Sequence, residues 1–171
     1  MIILGIDPGT ATTGYGVLKA TNLKTRTRID CLAYGLIETS PDKSFPDMLK
    51  KISRDLDILI KKHQPGLIAI ENVFFFKNLK TFVPVNRAVG VIILGAAKRK
   101  IPIMEFTPLQ VKLIVANYGH AEKKEVRKRI TKILKLKALP KQDDVADALG
   151  VALCGALSLT PHHSIDSLTK T

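Results

Sequence analysis

The chain has 171 residues, 46% of them apolar, and 27 Lys and Arg against 15 Asp and Glu give it a formal charge of +12. This length suits one domain with its own core, and the composition excludes an intrinsically disordered chain. The charge favours a protein with a polyanionic partner, because Lys and Arg that neutralise phosphates gain affinity by releasing counterions. Residues 123–137 hold eight basic residues and one acidic residue.

Cysteine usage and hydropathy predict a soluble, cytoplasmic protein. Cys31 and Cys154 are too few for a disulfide framework, and neither has the spacing of a zinc site. The apolar N-terminus lacks the basic region that precedes the apolar core of a signal peptide. The longest uncharged apolar run, residues 89–97, is far shorter than the ~18 residues that span a bilayer. We therefore expect no membrane association.

The first part of the chain predicts four strands and one helix. The strands are residues 2–6, 14–19, 30–39 and 67–70. A polar link joins the second strand to the third, so the first three could form an antiparallel meander. The helix is indicated by Leu49, Ile52 and Leu56, which recur at helical spacing before Pro65 and Gly66 end it.

The second part predicts helices around one further strand. After a loop over 72–82, Pro84 is expected in the first turn of a helix that runs to about residue 98. A strand over 101–106, a short helix from Thr107, a basic helix over 122–136 and a last helix over 143–157 follow. Strands that alternate with helices predict one α/β domain with a mixed sheet, over residues 1–158. Residues 159–171 are expected to form a flexible tail.

Four carboxylates stand out against apolar surroundings. Asp7 ends the first strand and Glu71 the fourth, so parallel strands would bring both acids to one edge of the sheet. Asp144 and Asp147 are three residues apart and therefore share one face of the last helix. The rest of that helix is almost entirely apolar, and buried acids are costly unless they are paired or bind a metal.

An all-oxygen ligand set favours a hard divalent cation such as Mg²⁺, and two such ions can promote phosphodiester hydrolysis. Each acid also has an ordinary explanation. Asp7 could cap its turn, Glu71 could be a surface acid, and Asp144 could cap the last helix. Asp143 lies four residues before Asp147 and could replace Asp144 as the ligand.

Several short motifs together resemble one family of nucleases. Gly5-Ile6-Asp7-Pro8-Gly9-Thr10 is similar to the first strand of RNase H-like proteins. The segments that begin at Ile70, Gln110, Ala121 and Asp144 (IENVF, QVK, AEK and DVADAL) follow in order and spacing. Over residues 1–158 the pattern resembles the RuvC family of Holliday-junction resolvases.

This resemblance implies an RNase H-like fold, with a five-stranded mixed sheet of three antiparallel and two parallel strands flanked by helices. It implies a homodimer that makes paired nicks in four-way junction DNA during recombination and repair, beside the RuvA–RuvB branch-migration complex. It implies two Mg²⁺ ions per active site, for which Mn²⁺ could substitute. The implied metal-binding catalytic acids are Asp7, Glu71, Asp144 and Asp147.

The resemblance also assigns roles to residues outside the acidic set. Lys112 and Lys123 would assist catalysis or DNA contact, and Phe74 would wedge into the junction, although Phe75 or Phe76 could do so instead. From the residues alone, Lys112 is more often a surface lysine, and the phenylalanines could belong to the core. We expect the cations beside these positions to contact phosphate; they are Lys77, Lys124 and Arg127.

Three other functions compete with this prediction. An RNase H-like nuclease of the YqgF type would trim ribosomal RNA precursors instead of DNA. An ATPase or sugar kinase would need a second phosphate loop, which is missing after residue 40. A non-catalytic junction-binding protein would not need four acids, which repel phosphate unless a metal intervenes.

Overall fold

The computed structural model describes residues 1–22, 27–40, 42–72 and 79–159. Within these ranges the chain forms five strands and five helices. The strands are β1 (Ile2–Asp7), β2 (Thr12–Asn22), β3 (Thr27–Glu38), β4 (Leu67–Glu71) and β5 (Ile103–Phe106). The helices are α1 (Phe45–His63), α2 (Leu79–Ala97), α3 (Pro108–Ala116), α4 (Lys123–Ile133) and α5 (Asp143–Ser158).

The strands form one mixed sheet in the order β3-β2-β1-β4-β5. The pairs β1–β2 and β2–β3 are antiparallel, whereas β1–β4 and β4–β5 are parallel. The predicted meander and the two parallel strands are therefore confirmed. Because β4 and β5 lie in parallel beside β1, the carboxyl ends of these three strands meet at one edge of the sheet.

Two apolar layers cover the two faces of the sheet. Ile3 of β1 packs in a core with α3, α4 and α5, while Leu4 and Ile6 pack in a second core with α1 and α2. This division follows from the strand period of two, which sends successive side chains to opposite faces. Asp7 is four residues after Ile3, an even number, so its side chain lies on the same face, the one that α5 covers.

The start of α2 differs from the sequence-based prediction. Pro84 was expected in the first turn, but the helix begins at Leu79, inside the segment predicted as a loop, and Pro84 lies within it. A proline there removes one helical hydrogen bond, since only the first four N–H groups of a helix are unpaired anyway. The extra turn precedes the apolar stripe from which the helix was predicted. No helix among the described residues is long and apolar enough to cross a membrane.

Candidate metal centre and nucleic-acid interface

Asp7 and Glu71 lie side by side at the carboxyl edge of the sheet. Ile6 of β1 is in register with Ile70 of β4, so the residues that follow them are neighbours. Both side chains are on the α5 face, and the two carboxyl groups share a hydrogen bond. Two carboxyl groups this close favour a proton on one of them as long as no cation lies between them.

Helix α5 delivers the other two acids because glycines in the sheet let it approach closely. A Cβ atom on Gly5 would lie 2.3 Å from the carbonyl oxygen of Ala148, and one on Gly14 would lie 2.0 Å from that of Asp144. Neither strand position could hold a larger residue unless the helix moved. The first turns of α5 therefore rest on β1 and β2, with Asp144 and Asp147 beside the strand ends.

The electrostatics of the cluster agree with this placement. Burial, together with the charges of Glu71, Asp147 and Asp144, raises the pKa of Asp7 to about 9. Burial also raises the pKa of Glu71, which the hydrogen bond from Asp7 partly offsets. Asp7 and Glu71 therefore both lie in the negative field of Asp147, and a cation placed among the acids would be strongly favoured.

Asp144, and not Asp143, faces this cluster. Asp144 accepts a hydrogen bond from the Thr12 hydroxyl and contributes to the raised pKa of Asp7. The Asp143 side chain is 61% exposed and points to α4, where it pairs with Lys123 and Arg127 at 3.1 Å each. Adjacent residues on a helix are about 100° apart, which separates the two side chains.

Lys123 joins α4 to the acidic cluster. Its Nζ lies 3.1 Å from Asp147 Oδ2 and 3.1 Å from Asp143 Oδ2. Burial acts to lower the pKa of Lys123, but the bonds to these two acids outweigh burial and raise it. Lys123 is therefore held as a cation at the rim of the site, where a phosphate could approach it.

The donor set fits a divalent cation by its chemistry. Four carboxylates and no thiol or imidazole form the ligand set that hard ions such as Mg²⁺ prefer. Within the described ranges, no three acidic, cysteine or histidine side chains form a ready-made metal cage. The acids instead have partners: Asp7 and Glu71 contact each other, Asp147 pairs with Lys123, and Asp144 accepts a hydrogen bond from Thr12. Binding an ion would require the first two of these contacts to rearrange.

The structure gives less support to the remaining predicted residues. Lys112 lies half-buried on α3 and makes no hydrogen bond or ion pair within the described part of the chain. Lys124 is exposed on α4. Arg127 is bound within the protein, since its guanidinium also donates to the Pro140 carbonyl oxygen at 2.6 Å. Phe74 and Lys77, with Phe75 and Phe76, lie outside the described residues, and all these DNA-contact roles stay predictions.

Two threonines of the site were missed by the sequence analysis. Thr13 is buried, and its hydroxyl donates to the Gly9 carbonyl oxygen at 2.8 Å, which fixes the turn after Asp7. Thr12 positions Asp144 across a sequence separation of 132 residues. The start of β2 at Thr12, two residues before the predicted strand, places this hydroxyl next to α5. Thr12 and Thr13 are both β-branched, and such residues are enriched in strands. This pair was the one local signal that β2 begins before Gly14.

A family model described as "Crossover junction endodeoxyribonuclease RuvC" matches residues 3–155, most of the chain and all four acids. The chain belongs to the RuvC family. A protein of that name from Ruminiclostridium cellulolyticum is 49% identical over 154 residues, which cover 90% of this chain and 90% of that protein. These matches agree with the resemblance that the sequence motifs indicated.

Solved structures of the RuvC family share the fold. Thermus thermophilus RuvC has a TM-score of 0.85 at 30% identity, with 92% of this chain and 95% of that one covered. T. thermophilus RuvC in complex with Holliday junction substrate has a TM-score of 0.84 at 31% identity, with 91% and 93% covered. The fold is therefore RNase H-like, as predicted, with the five-stranded mixed sheet flanked by helices.

Proposed function

We propose that this protein is a crossover junction endodeoxyribonuclease, which resolves four-way (Holliday) DNA junctions by paired symmetric nicks during recombination and repair. The observation that carries the proposal is the convergence of Asp7, Glu71, Asp144 and Asp147 at one sheet edge in a chain of the RuvC family. The charge of +12 suits a DNA substrate. We infer that residues 1–158 act as one nuclease domain in the cytoplasm.

The four acids are proposed to hold two Mg²⁺ ions, for which Mn²⁺ is expected to substitute. Ions bound there would supply the positive charge that phosphodiester hydrolysis needs. The protein's part is to place the acids: β1 and β4 fix Asp7 and Glu71, and α5 fixes the other two. Thr12 restrains Asp144 in one orientation, and such partners of a ligand are typically needed for tight binding.

Basic and aromatic residues around the acids are proposed to hold the DNA. Lys123 stands at the rim of the cluster and is suited to contact the scissile phosphate. Lys112, Lys124 and Arg127 are proposed to contact DNA nearby. Arg127 can do so only when its ion pair with Asp143 opens. Phe74 is proposed to wedge into the junction, and Lys77 is proposed to contact its DNA.

A cleavage assay on matched substrates tests this function. Purified protein is incubated with a synthetic four-way junction, with and without Mg²⁺, beside linear duplex and structured RNA. We expect symmetric nicks in the junction alone, and only with the metal. Cleavage of RNA instead would be consistent with the fold and the four acids but would assign the protein to RNA processing. Junction binding without cleavage under any divalent metal would contradict the proposal that the protein is a nuclease.

Paired nicks require two active sites, and we propose that a homodimer supplies them, acting with the RuvA–RuvB complex. The exposed side of α2 is the best candidate for the interface. Leu94 is 54% exposed beside a groove of about 430 Å³ between α1 and α2. The groove has an apolar wall, formed by Leu49 and Val91, into which a second copy's Leu94 could insert. This groove lies between helices that pack on the sheet face opposite α5, so a contact there would leave Asp144 and Asp147 open.

Leu94→Glu is expected to convert the dimer into monomers at micromolar concentration, because a buried unpaired charge opposes the apolar contact. Folding should be retained, since surface substitutions usually change stability by about 0.5 kcal/mol or less. Analytical ultracentrifugation measures the change. Ile58→Glu is the matched control, because Ile58 is 55% exposed on α1 but does not line the groove. Equal dissociation of both variants would contradict this interface.

A further inference from the structure

Helix α4 has two basic faces, and their side chains differ in what they contact. Lys123 and Arg127 are tied to the start of α5 through Asp143, Asp147 and the Pro140 carbonyl oxygen. The cations of the other face make no hydrogen bond or ion pair to any described residue. These are Lys128, Arg129 and Lys132, all exposed. The first face therefore anchors the helix, and the second is available to a ligand.

The unpaired cations line a groove between the end of α3 and α4. The groove has a volume of about 350 Å³, and Ala116 and Ala121 are among its lining residues. Tyr118 also lines it and is 58% exposed. Glu125 is the one acid in the lining, and its carboxylate already accepts a hydrogen bond from the backbone N–H of Glu122. The groove therefore has three cations against one acid, and none of these three cations forms an ion pair within the described part of the chain.

We propose that this groove, lined by Tyr118, Lys128, Arg129 and Lys132, binds the sugar-phosphate backbone of the junction arm beside the cut. The inference rests on the proposed function and adds a contact that is distant from the acids. Arginine, lysine and the tyrosine hydroxyl are all groups that contact phosphate oxygens without reading sequence. Such a contact would hold one arm in register while the acids act on the strand.

The position of the groove along α4 sets where on the DNA it acts. Lys132 follows Lys123 by nine residues, so it lies about 14 Å further along the helix axis at 1.5 Å per residue. Phosphates of one strand rise about 3.4 Å per nucleotide along duplex DNA. Because Lys123 stands at the acidic cluster, an arm that runs along α4 is expected to place its backbone at Lys132, the far end of the groove, roughly four nucleotides from the cut.

An acidic protein surface is the other polyanion that such a groove could accept. DNA is favoured because α4 leads directly from the acidic cluster into the groove, through Lys123 and Lys128. A single arm that enters the active site would therefore run along the same helix. No separate partner is needed to neutralise these cations.

The test compares two double variants by junction-binding titrations at several salt concentrations. Arg129→Ala/Lys132→Ala should weaken junction affinity about tenfold at 0.15 M salt and reduce the salt slope by about 2, since each lost phosphate contact reduces it by about 1. Lys61→Ala/Lys62→Ala is the control. It removes the same charge from exposed positions at the end of α1, on the opposite face of the sheet, and it should have little effect. Equal losses of affinity in both variants would mean that the groove acts only through the overall charge of the protein and would overturn the proposal.

A neutral backbone gives a second, positional test. Methylphosphonates placed three to five nucleotides from the cut should weaken binding by the wild-type protein but not by Arg129→Ala/Lys132→Ala. Indifference of the wild-type protein to these phosphates would overturn the proposal and leave an acidic protein as the candidate ligand. Both tests measure binding, so they remain decisive for the groove even if the wild-type protein fails to cleave the junction, which would contradict the proposed function alone.

Discussion

Asp7→Asn is expected to abolish junction cleavage and to leave junction binding intact. Asn keeps the shape of the side chain but loses the charge that attracts a divalent cation to the acidic cluster. Loss of several kcal/mol of transition-state stabilisation corresponds to a cleavage rate lower by a factor of about 10³ or more. Single-turnover cleavage beside a binding titration measures both quantities. Cleavage at the wild-type rate would remove Asp7 from the site.

The same substitution should change how stability depends on pH in the absence of metal. The pKa of Asp7 is about 9 in the folded protein, against an ordinary value of 3.8. Folding therefore favours the protonated form of Asp7. In the metal-free protein, the contribution of Asp7 to the free energy of unfolding is fully present below about pH 4 and is lost as pH rises towards 9. Asn has no proton to lose, so the variant should avoid this decline.

In thermal unfolding with a chelator, Asp7→Asn should match the wild-type protein near pH 4 and melt several degrees higher at pH 8. Added Mg²⁺ should stabilise the wild-type protein more than the variant, because a ligand that binds only the folded state raises its stability. Asp42→Asn is the matched control, since it makes the same change of charge at an exposed position, and its pH profile should follow that of the wild-type protein. Parallel pH profiles for Asp7→Asn and the wild-type protein would contradict the raised pKa.

The acids at the sheet edge were predictable because short-range patterns determine where they lie. The apolar runs before Asp7 and Glu71 predicted two buried strands, and the parity of a strand decides which face each acid takes. The spacing of Asp144 and Asp147 predicted a shared helix face. The predicted strand ends therefore needed only a parallel pairing, which β1 and β4 make, to bring the first two acids together.

The sequence could not decide features that depend on contacts between distant elements. The choice between Asp143 and Asp144 follows from the ion pairs of Lys123 and Arg127, which draw Asp143 towards α4. The role of Thr12 depends on how closely α5 approaches β2. Helix α4 was likewise predicted only as a basic helix, because the packed structure alone separates the cations that bind protein from those without a partner among the described residues.

The close approach of α5 to the sheet makes Gly14→Ala the second substitution of large effect. The added methyl group would lie 2.0 Å from the carbonyl oxygen of Asp144, so the first turn of α5 must move. Overpacking of this kind costs about 1–3 kcal/mol of stability. Because Gly14 also pairs with Asp7 across β1 and β2, the shift should separate the acids, and a misplacement of ~1 Å lowers catalytic rates about 10²-fold.

Gly66→Ala separates this effect from a general intolerance of alanine. Its added methyl group would meet the side chain of Met1, at 3.2 Å, which is exposed and can move away. Gly66 also precedes β4, at the opposite end of that strand from Glu71. Thermal unfolding and single-turnover cleavage of both variants are compared with the wild-type protein. Loss of cleavage only in Gly14→Ala would establish that the glycine maintains the distance between α5 and the sheet on which the acidic cluster depends, whereas normal cleavage would mean that α5 adjusts without moving Asp144.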